Sequence, residues 1–314
     1  MEYRTLGDSA LRVSEICLGT WTTFGGTLDE DAALALVDAA FGLGVNFFDT
    51  ANVYSQGRSE EVLGRALAKR TRDSFVVATK VYGEMPTGDR GLSREQVLKQ
   101  IDESLRRLQL DHVDLYQCHS WDDGVPVEET LGALTEVVAA GKARFVGVSN
   151  WSGGQIRRAV ELARERDFAK IVSSQPEYSL LTREPEESVI PASRAHGVSQ
   201  IVYSPLAPGV LSGKYLPGES FAENTRAAAH SEGWMSQYLA PDVLERVQLL
   251  RPIANRVGLT MSQLALAWIL REPNVASAIV GASRPEQLQD NAAASGVDLD
   301  NATVREIEAA VAPV

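Results

Sequence analysis

Cysteine is scarce in this chain of 314 residues: there are two, Cys17 and Cys118, each inside an apolar run (SEICLG and VDLYQCH) that reads as buried strand. A disulfide scaffold is therefore not what organises the fold, and a reducing compartment suits the composition. Long apolar runs are missing too. No stretch approaches the roughly 18 uncharged residues that a membrane helix needs, so no membrane partner is expected. Positive charge is in deficit, with 30 Lys and Arg against 42 Asp and Glu for a net charge of −12. That balance argues against a nucleic-acid surface and against attraction to anionic lipid. It bears on solubility and leaves the oligomeric state open. Of the four histidines, His112, His119, His196 and His230, no two form an HxH or HxxxH pair, so no metal is expected. The opening residues MEYRTLGDSALRV carry charges where a secretory signal would be apolar, which predicts no signal peptide and a cytoplasmic chain. There is no Pro/Gly/Ser-rich linker and no GxGxxG after a first strand.

What is present is a composition of 44% hydrophobic and 23% charged residues, that of a globular protein with ample core. Short β-branched runs alternate with longer amphipathic stretches from end to end. The candidate strands are Glu15–Leu18, Asn46–Asp49, Phe75–Thr79, Val113–Cys118, Arg144–Val148, Ile171–Gln175, Ser199–Tyr203 and Ala276–Val280. Between them, Ser93 opens SREQVLKQIDESLRRL with Gln96 placed to complete a capping box, and Val97, Ile101, Leu105 and Leu108 line one face. Ser59 reads as the cap of SEEVLGRALAKR, with Lys69 and Arg70 at its negative end. Gly141 reads as the residue that stops PVEETLGALTEVVAAGK. The first residues read as a hairpin turning near Gly7 and Asp8.

Eight strand-helix units fit either an open doubly wound sheet or a closed (β/α)8 barrel. An open sheet gathers its ligands at one switch point, whereas a barrel draws them from the C-terminal ends of many strands on one rim. Here Asp49, Lys80, His119, Ser149 with Asn150, Gln175, Tyr203 with Ser204, and Gly281 stand at or just past the ends of strands two to eight. The expectation is therefore a (β/α)8 TIM barrel spanning 1–314 as a single domain, with the N-terminal hairpin capping the barrel bottom.

Asp49, Lys80 and His119 each follow a strongly apolar strand, where an ionised group is costly unless paired. Taken singly, each has an ordinary structural reading as an ion pair or a satisfied polar residue. Taken together with Tyr54, five residues after Asp49, they describe an acid–base centre. A phenol titrates near ~10 and must be eased towards neutrality to exchange protons at pH 7; a lysine ammonium at ~4 Å in an effective dielectric of ~20 favours the phenolate by about 4 kcal/mol. Asp49 would keep Lys80 charged and aimed, and His119 would donate to a substrate carbonyl or relay a proton. Trp21, after the first strand, and Trp121, just past His119, are placed to wall a substrate pocket, with Trp151 and Trp234 as weaker candidates.

GVNFFDTANVYSQGRSEEVLGRAL, the Lys80 strand end, LYQCHSWD, FVGVSNW, SQPEYSLL, YSPLAPGVLSGKY and IVGASRPEQLQDNAAA resemble, in order and at barrel spacing, the successive blocks of the aldo-keto reductase family. The branch most similar is the one that includes bacterial reductases and potassium-channel β subunits. The resemblance implies that Asp49, Tyr54, Lys80 and His119 form the catalytic tetrad, with Tyr54 as general acid. It implies that Ser149, Asn150 and Gln175 hold a nicotinamide carboxamide and that Tyr203 stacks on the ring. Ser204, Leu206, Gly209, Gly213 and Lys214 resemble the loop over a pyrophosphate. Gly281, Ser283, Arg284, Gln287 and Asn291 resemble the adenosine end, where Ser283 and Arg284 suit a 2′-phosphate and favour NADPH over NADH. The implied activity is NADPH-dependent reduction of an aldehyde or ketone; the alternative is a nucleotide-binding regulatory or sensor protein with little turnover.

Overall fold

The computed structural model describes residues 1–223 and 225–312. Two short antiparallel strands, β1 (Tyr3–Thr5) and β2 (Arg12–Ser14), form the N-terminal hairpin. Eight parallel strands follow: β3 (Ile16–Gly19), β4 (Phe47–Asp49), β5 (Val76–Val81), β6 (Val113–Cys118), β7 (Ala143–Ser149), β8 (Ile171–Gln175), β9 (Ser199–Val202) and β10 (Val275–Val280). They close into a barrel in chain order, with β10 pairing back onto β3, and helices fill the crossovers. The expected (β/α)8 barrel is the fold observed.

Both faces of these strands are covered, so they carry near-continuous apolar sequence and only the period of two tells the faces apart. Cys17, Phe47, Val76, Ala78, Leu115 and Ile201 pack together inside the barrel, while Leu18, Phe48, Val77, Tyr116 and Val202 pack outward against the helices. The two cysteines thus lie on opposite sides of the barrel wall, Cys17 inside and Cys118 outside, both buried and free. Extending the inward parity by one step, or two in β6, reaches the rim: Phe47 leads to Asp49, Ala78 to Lys80, Leu115 through Gln117 to His119, and Ile201 to Tyr203.

The opposite end is plugged. Leu6, Leu11 and Val13 of the hairpin join the interior cluster, as expected of a cap on the barrel bottom. Gly7 makes this possible: at φ +52°, a Cβ there would stand 2.3 Å from the Val172 carbonyl oxygen and 2.6 Å from that of Gly197. No other residue lets the hairpin lie so close to the barrel floor.

Several local expectations need correction. Strand ends move by one or two residues, and β5 runs on to Val81 because Lys80 and Val81 pair with Gln117 and Cys118, so Lys80 lies within the strand. Ser59 is not a helix cap. The helix Arg58–Leu67 starts one residue earlier, behind a left-handed Gly57, and the Ser59 hydroxyl donates instead to the Phe24 carbonyl at 2.6 Å. Lys69 and Arg70 fall beyond that helix, where Arg70 pairs with Asp38 and covers the Phe41 ring. Ser93 does cap the helix Arg94–Leu108, but the Gln96 amide donates to Asp89 and its oxygen does not accept from the cap N–H, so the box is half made. Gly141 stops the helix Val127–Ala139 with φ +72°, as expected. Among the described residues, no helix is long and apolar enough to cross a membrane.

Candidate active site

At the C-terminal rim, Lys80 is the most deeply buried ionisable group, with its ammonium fully enclosed. Its three donors are all used: Nζ gives to Asp49 Oδ1 at 2.5 Å, to the Thr50 carbonyl at 2.8 Å and to Tyr54 Oη at 3.1 Å. Burial alone would lower its pKa, but Asp49, and after it Tyr54, outweigh burial and hold it above the ordinary lysine value. The side chain is therefore a fixed cation. Asp49 is aimed in turn by Gln175, whose amide donates to Oδ2 at 2.9 Å.

Tyr54 sits on a 3₁₀ turn directly after β4, followed by Ser55, Gln56 and Gly57, all left-handed at φ +46°, +58° and +93°. This reversal turns the phenol back over the barrel mouth, onto Lys80. Burial is the largest influence on the phenol and raises its pKa; the Lys80 charge opposes it without cancelling it. The expectation that Lys80 eases Tyr54 towards neutrality thus holds for the contribution of the lysine and not for the net value, because desolvation of a buried phenolate costs more than one neighbouring cation returns. Tyr54 is a protonated phenol whose oxygen already accepts from Lys80, which leaves its own hydrogen free to be given away.

His119 meets it from β6, with Nε2 3.5 Å from Tyr54 Oη and the rings edge to face at 5.5 Å. Burial and then the nearby Lys80 charge push the imidazole down to about 3, so it is neutral at any physiological pH. A separation of 3.5 Å is longer than a made hydrogen bond and matches an acid and a neutral ring that both face a third group.

The residues expected around a carboxamide are tied into this centre. Ser149 Oγ donates to the Gln175 carbonyl at 2.9 Å, Asn150 Nδ2 to the His119 carbonyl at 3.1 Å, and Tyr203 Oη to Asn150 Oδ1 at 3.0 Å. Asn150 adopts φ +58°, which swings its amide round from β7 to the rim. After β9 the chain runs through further left-handed positions at Ser204 and Gly209, and the Lys214 ammonium lies 3.2 Å from where a Gly209 Cβ would stand. Leu206 packs partly onto the core. The Gly213 carbonyl, further along the same loop, accepts from Gln248 and Arg251. Gly281 follows β10. Beyond it the Ser283 N–H and hydroxyl both donate to Gln287 Oε1, Arg284 stands exposed before the helix Pro285–Ala292, and Asn291 is buried in that helix. Asp290 is occupied by Thr260 and Gln263 and belongs to packing.

Of the tryptophans, Trp21 and Trp234 are exposed and pair at 5.6 Å between ring centroids, with His230 beside Trp234 at 5.4 Å. Trp121 turns its N–H to Asp123 and its ring edge onto Trp151, which is buried in the core. One residue escaped the reading of the sequence. Arg226, opening the short helix Arg226–His230, donates to Thr22 Oγ1 at 3.1 Å and reaches the neighbourhood of Gly281. Burial lowers its pKa, and no carboxylate pairs with it among the described residues. Its only signal was a threonine cap followed by arginine in a segment without hydrophobic period.

The family model for the aldo/keto reductase family matches residues 15–312. A protein of Oryza sativa subsp. japonica described as a probable voltage-gated potassium channel subunit beta is 41% identical over 295 residues, covering 93% of this chain and 90% of the relative. One of Arabidopsis thaliana with the same description is 39% identical over the same shares of both chains. With a closed eight-stranded parallel barrel beneath these matches, this chain belongs to the aldo/keto reductase family, a family of oxidoreductases that act on small molecules with NAD(P)H.

Proposed function

We propose that the chain, as one barrel domain, reduces aldehydes or ketones to alcohols with NADPH, and that Tyr54 gives the proton. The observation that carries this reading is the Lys80–Tyr54 contact of 3.1 Å beside a neutral His119.

The donor set fits a nicotinamide dinucleotide phosphate. Ser149, Asn150 and Gln175 offer amide and hydroxyl groups suited to a carboxamide. Tyr203 offers a ring face, Gly209 with Lys214 a backbone cradle under an ammonium, and Arg226 a half-buried cation with no carboxylate partner among the described residues. Ser283 and Arg284 would take the 2′-phosphate, with Gly281, Gln287 and Asn291 beside them. When bound, the nucleotide supplies the hydride. The chain's own residues do the rest: His119 and Tyr54 receive the carbonyl oxygen between them, Tyr54 gives its proton to the oxygen as charge develops, and Lys80 stabilises the phenolate left behind. Trp21 and Trp121 would bound the substrate, and the pairing of Trp234 with Trp21 favours a flat or apolar carbonyl compound.

Fluorescence titration with NADPH and NADH, followed by the nicotinamide absorbance on adding a panel of aldehydes and ketones, tests the reading. Tight NADPH binding with aldehyde-dependent loss of the band supports it, and Tyr54→Phe is expected to keep binding while lowering kcat by about a thousandfold or more. An unchanged kcat in that variant sinks the role of Tyr54. The description of the relatives as channel β subunits supports a second reading, a nucleotide-binding regulatory or sensor protein. Binding without turnover across the panel favours it.

A further inference from the structure

Outside the site, one ion pair among the described residues is almost completely buried. Glu60, in the helix after Tyr54, is fully enclosed, and its Oε2 accepts from Arg107 Nε at 2.6 Å. Its other oxygen accepts from the hydroxyl of Thr79, also at 2.6 Å. A buried pair of this kind is weak as a source of stability, since neutral side chains of similar shape often serve as well. Its connections are more informative than its energy. Thr79 is the outward-facing residue directly before Lys80. The Arg107 stem lies under Gly57, where a Cβ would come within 2.8 Å of Cδ. Gly57 ends the run of left-handed residues that begins straight after Tyr54. Such a run persists only where the surroundings over-determine it. On the other side of Tyr54, the buried Asn52 amide donates to Gln100 at 2.9 Å, and Gln100 and Arg107 belong to the same helix, Arg94–Leu108. That helix therefore grips the Tyr54 loop before and after the tyrosine, and through Glu60 it is also bonded to the strand that carries Lys80.

We propose that Glu60 and Arg107 are positioning residues for the acid–base centre: through Thr79 and Gly57 they set the distance between the Lys80 ammonium and the Tyr54 hydroxyl. The inference rests on the reading of Tyr54 as the proton donor, and its test separates the two.

Single variants leave an unpaired buried charge, so the main probe is the double variant Glu60→Gln with Arg107→Met, which keeps net charge and approximate volume. Thr79→Val, which removes only the hydroxyl link to the Lys80 strand, is the second. The groups that face the phenol are Asp49, Lys80, His119 and Tyr203, and none of them is altered. Two quantities are read: kcat with its alkaline limb, and the phenolate absorbance of Tyr54, obtained by subtracting the same protein carrying Tyr54→Phe. Loosening the contact with Lys80 weakens the charge that stabilises the phenolate. The double variant is therefore expected to lose about tenfold in kcat and to titrate Tyr54 higher by roughly half a pH unit or more, with Thr79→Val moving the same way by less. A purely structural role would lower the melting temperature and leave both readings in place. Parental kcat and titration in whichever of these variants fold overturn the proposal. Should Tyr54→Phe retain parental turnover, the proposed function fails, while the absorbance titration still decides whether Glu60 and Arg107 set the contact.

Discussion

The two ends of the barrel treat charge in opposite ways. At the floor, every buried charge is spent on structure. Glu15 accepts from Arg4, from the Ser295 hydroxyl and from the Gly296 N–H, and Asp114 from Arg72, Arg144 and the Val77 N–H. Arg4 is itself saturated by the carbonyls of Leu270, Glu272 and Val275. At the rim, Lys80 is as well satisfied as any of these, but the groups around it are not. Among the described residues, the nearest acceptor for the Tyr54 proton is the His119 ring at 3.5 Å, and neither Arg226 nor Arg284 has a carboxylate at hydrogen-bonding distance. Satisfied charges hold a fold; uncommitted ones placed beside a fixed cation are what a ligand can use.

Removing one paired cation at each end, buried Lys80 and half-buried Arg72, gives the largest contrast. Lys80→Met strands the Asp49 carboxylate in a dry site and is expected to destabilise the protein by about 3–5 kcal/mol. Because it also removes the phenolate's stabilising charge, turnover should fall by orders of magnitude. Arg72→Met at the floor leaves Asp114 with Arg144, so about 1–3 kcal/mol is expected, with kcat unchanged in the protein that remains folded. Denaturant titrations beside steady-state rates check both, and a loss of kcat from Arg72→Met would erase the distinction between the two ends.

His119 sharpens the comparison through pH. Its folded value lies at about 3, below an unfolded histidine near ~6.5. The unfolded chain therefore takes up a proton that the native state refuses, and the stability His119 permits is fully present above about pH 6.5 and lost progressively as pH falls towards 3. One proton corresponds to about 1.4 kcal/mol per pH unit, so roughly 2–3 kcal/mol should disappear between pH 6.5 and 4.5. Urea unfolding across that window, in the parent and in His119→Gln, isolates this part from the carboxylates. An equal slope in both proteins would mean that the ring is not held neutral.

The barrel and the convergence of Asp49, Lys80 and His119 were legible because both rest on short-range rules. Period two along apolar strands fixes which residues face inward, and one or two further steps of the same parity put Asp49, Lys80 and His119 on one rim. What was not legible depends on partners distant in sequence. Ser59 looks like a helix cap until Phe24, 35 residues away, is seen to accept its hydroxyl. The pKa of Tyr54 follows burial that no spacing encodes, and Glu60 gives no sign in sequence that Thr79 and Arg107 will converge on it. Arg226 is tied to Thr22, 204 residues away, so its place could not be read from neighbours along the chain.

Arg226 and Arg284 give the smallest effects and the finest division of the rim. Arg226 is half-buried and tied to Thr22 near Gly281, a place suited to phosphates that NADPH and NADH share. Arg284 is exposed at the start of the helix Pro285–Ala292, beside Ser283, the pair proposed above to take a 2′-phosphate. Arg226→Ala is thus expected to weaken both nucleotides alike, by about 1–2 kcal/mol, or roughly five- to thirtyfold in Kd. Arg284→Gln is expected to weaken NADPH by about 1 kcal/mol and leave NADH where it was, because an exposed pair is screened and worth little more. Fluorescence titrations of both variants with both nucleotides read this directly. Equal losses for the two nucleotides in Arg284→Gln would remove the assigned 2′-phosphate contact and, with it, the basis for a preference for NADPH.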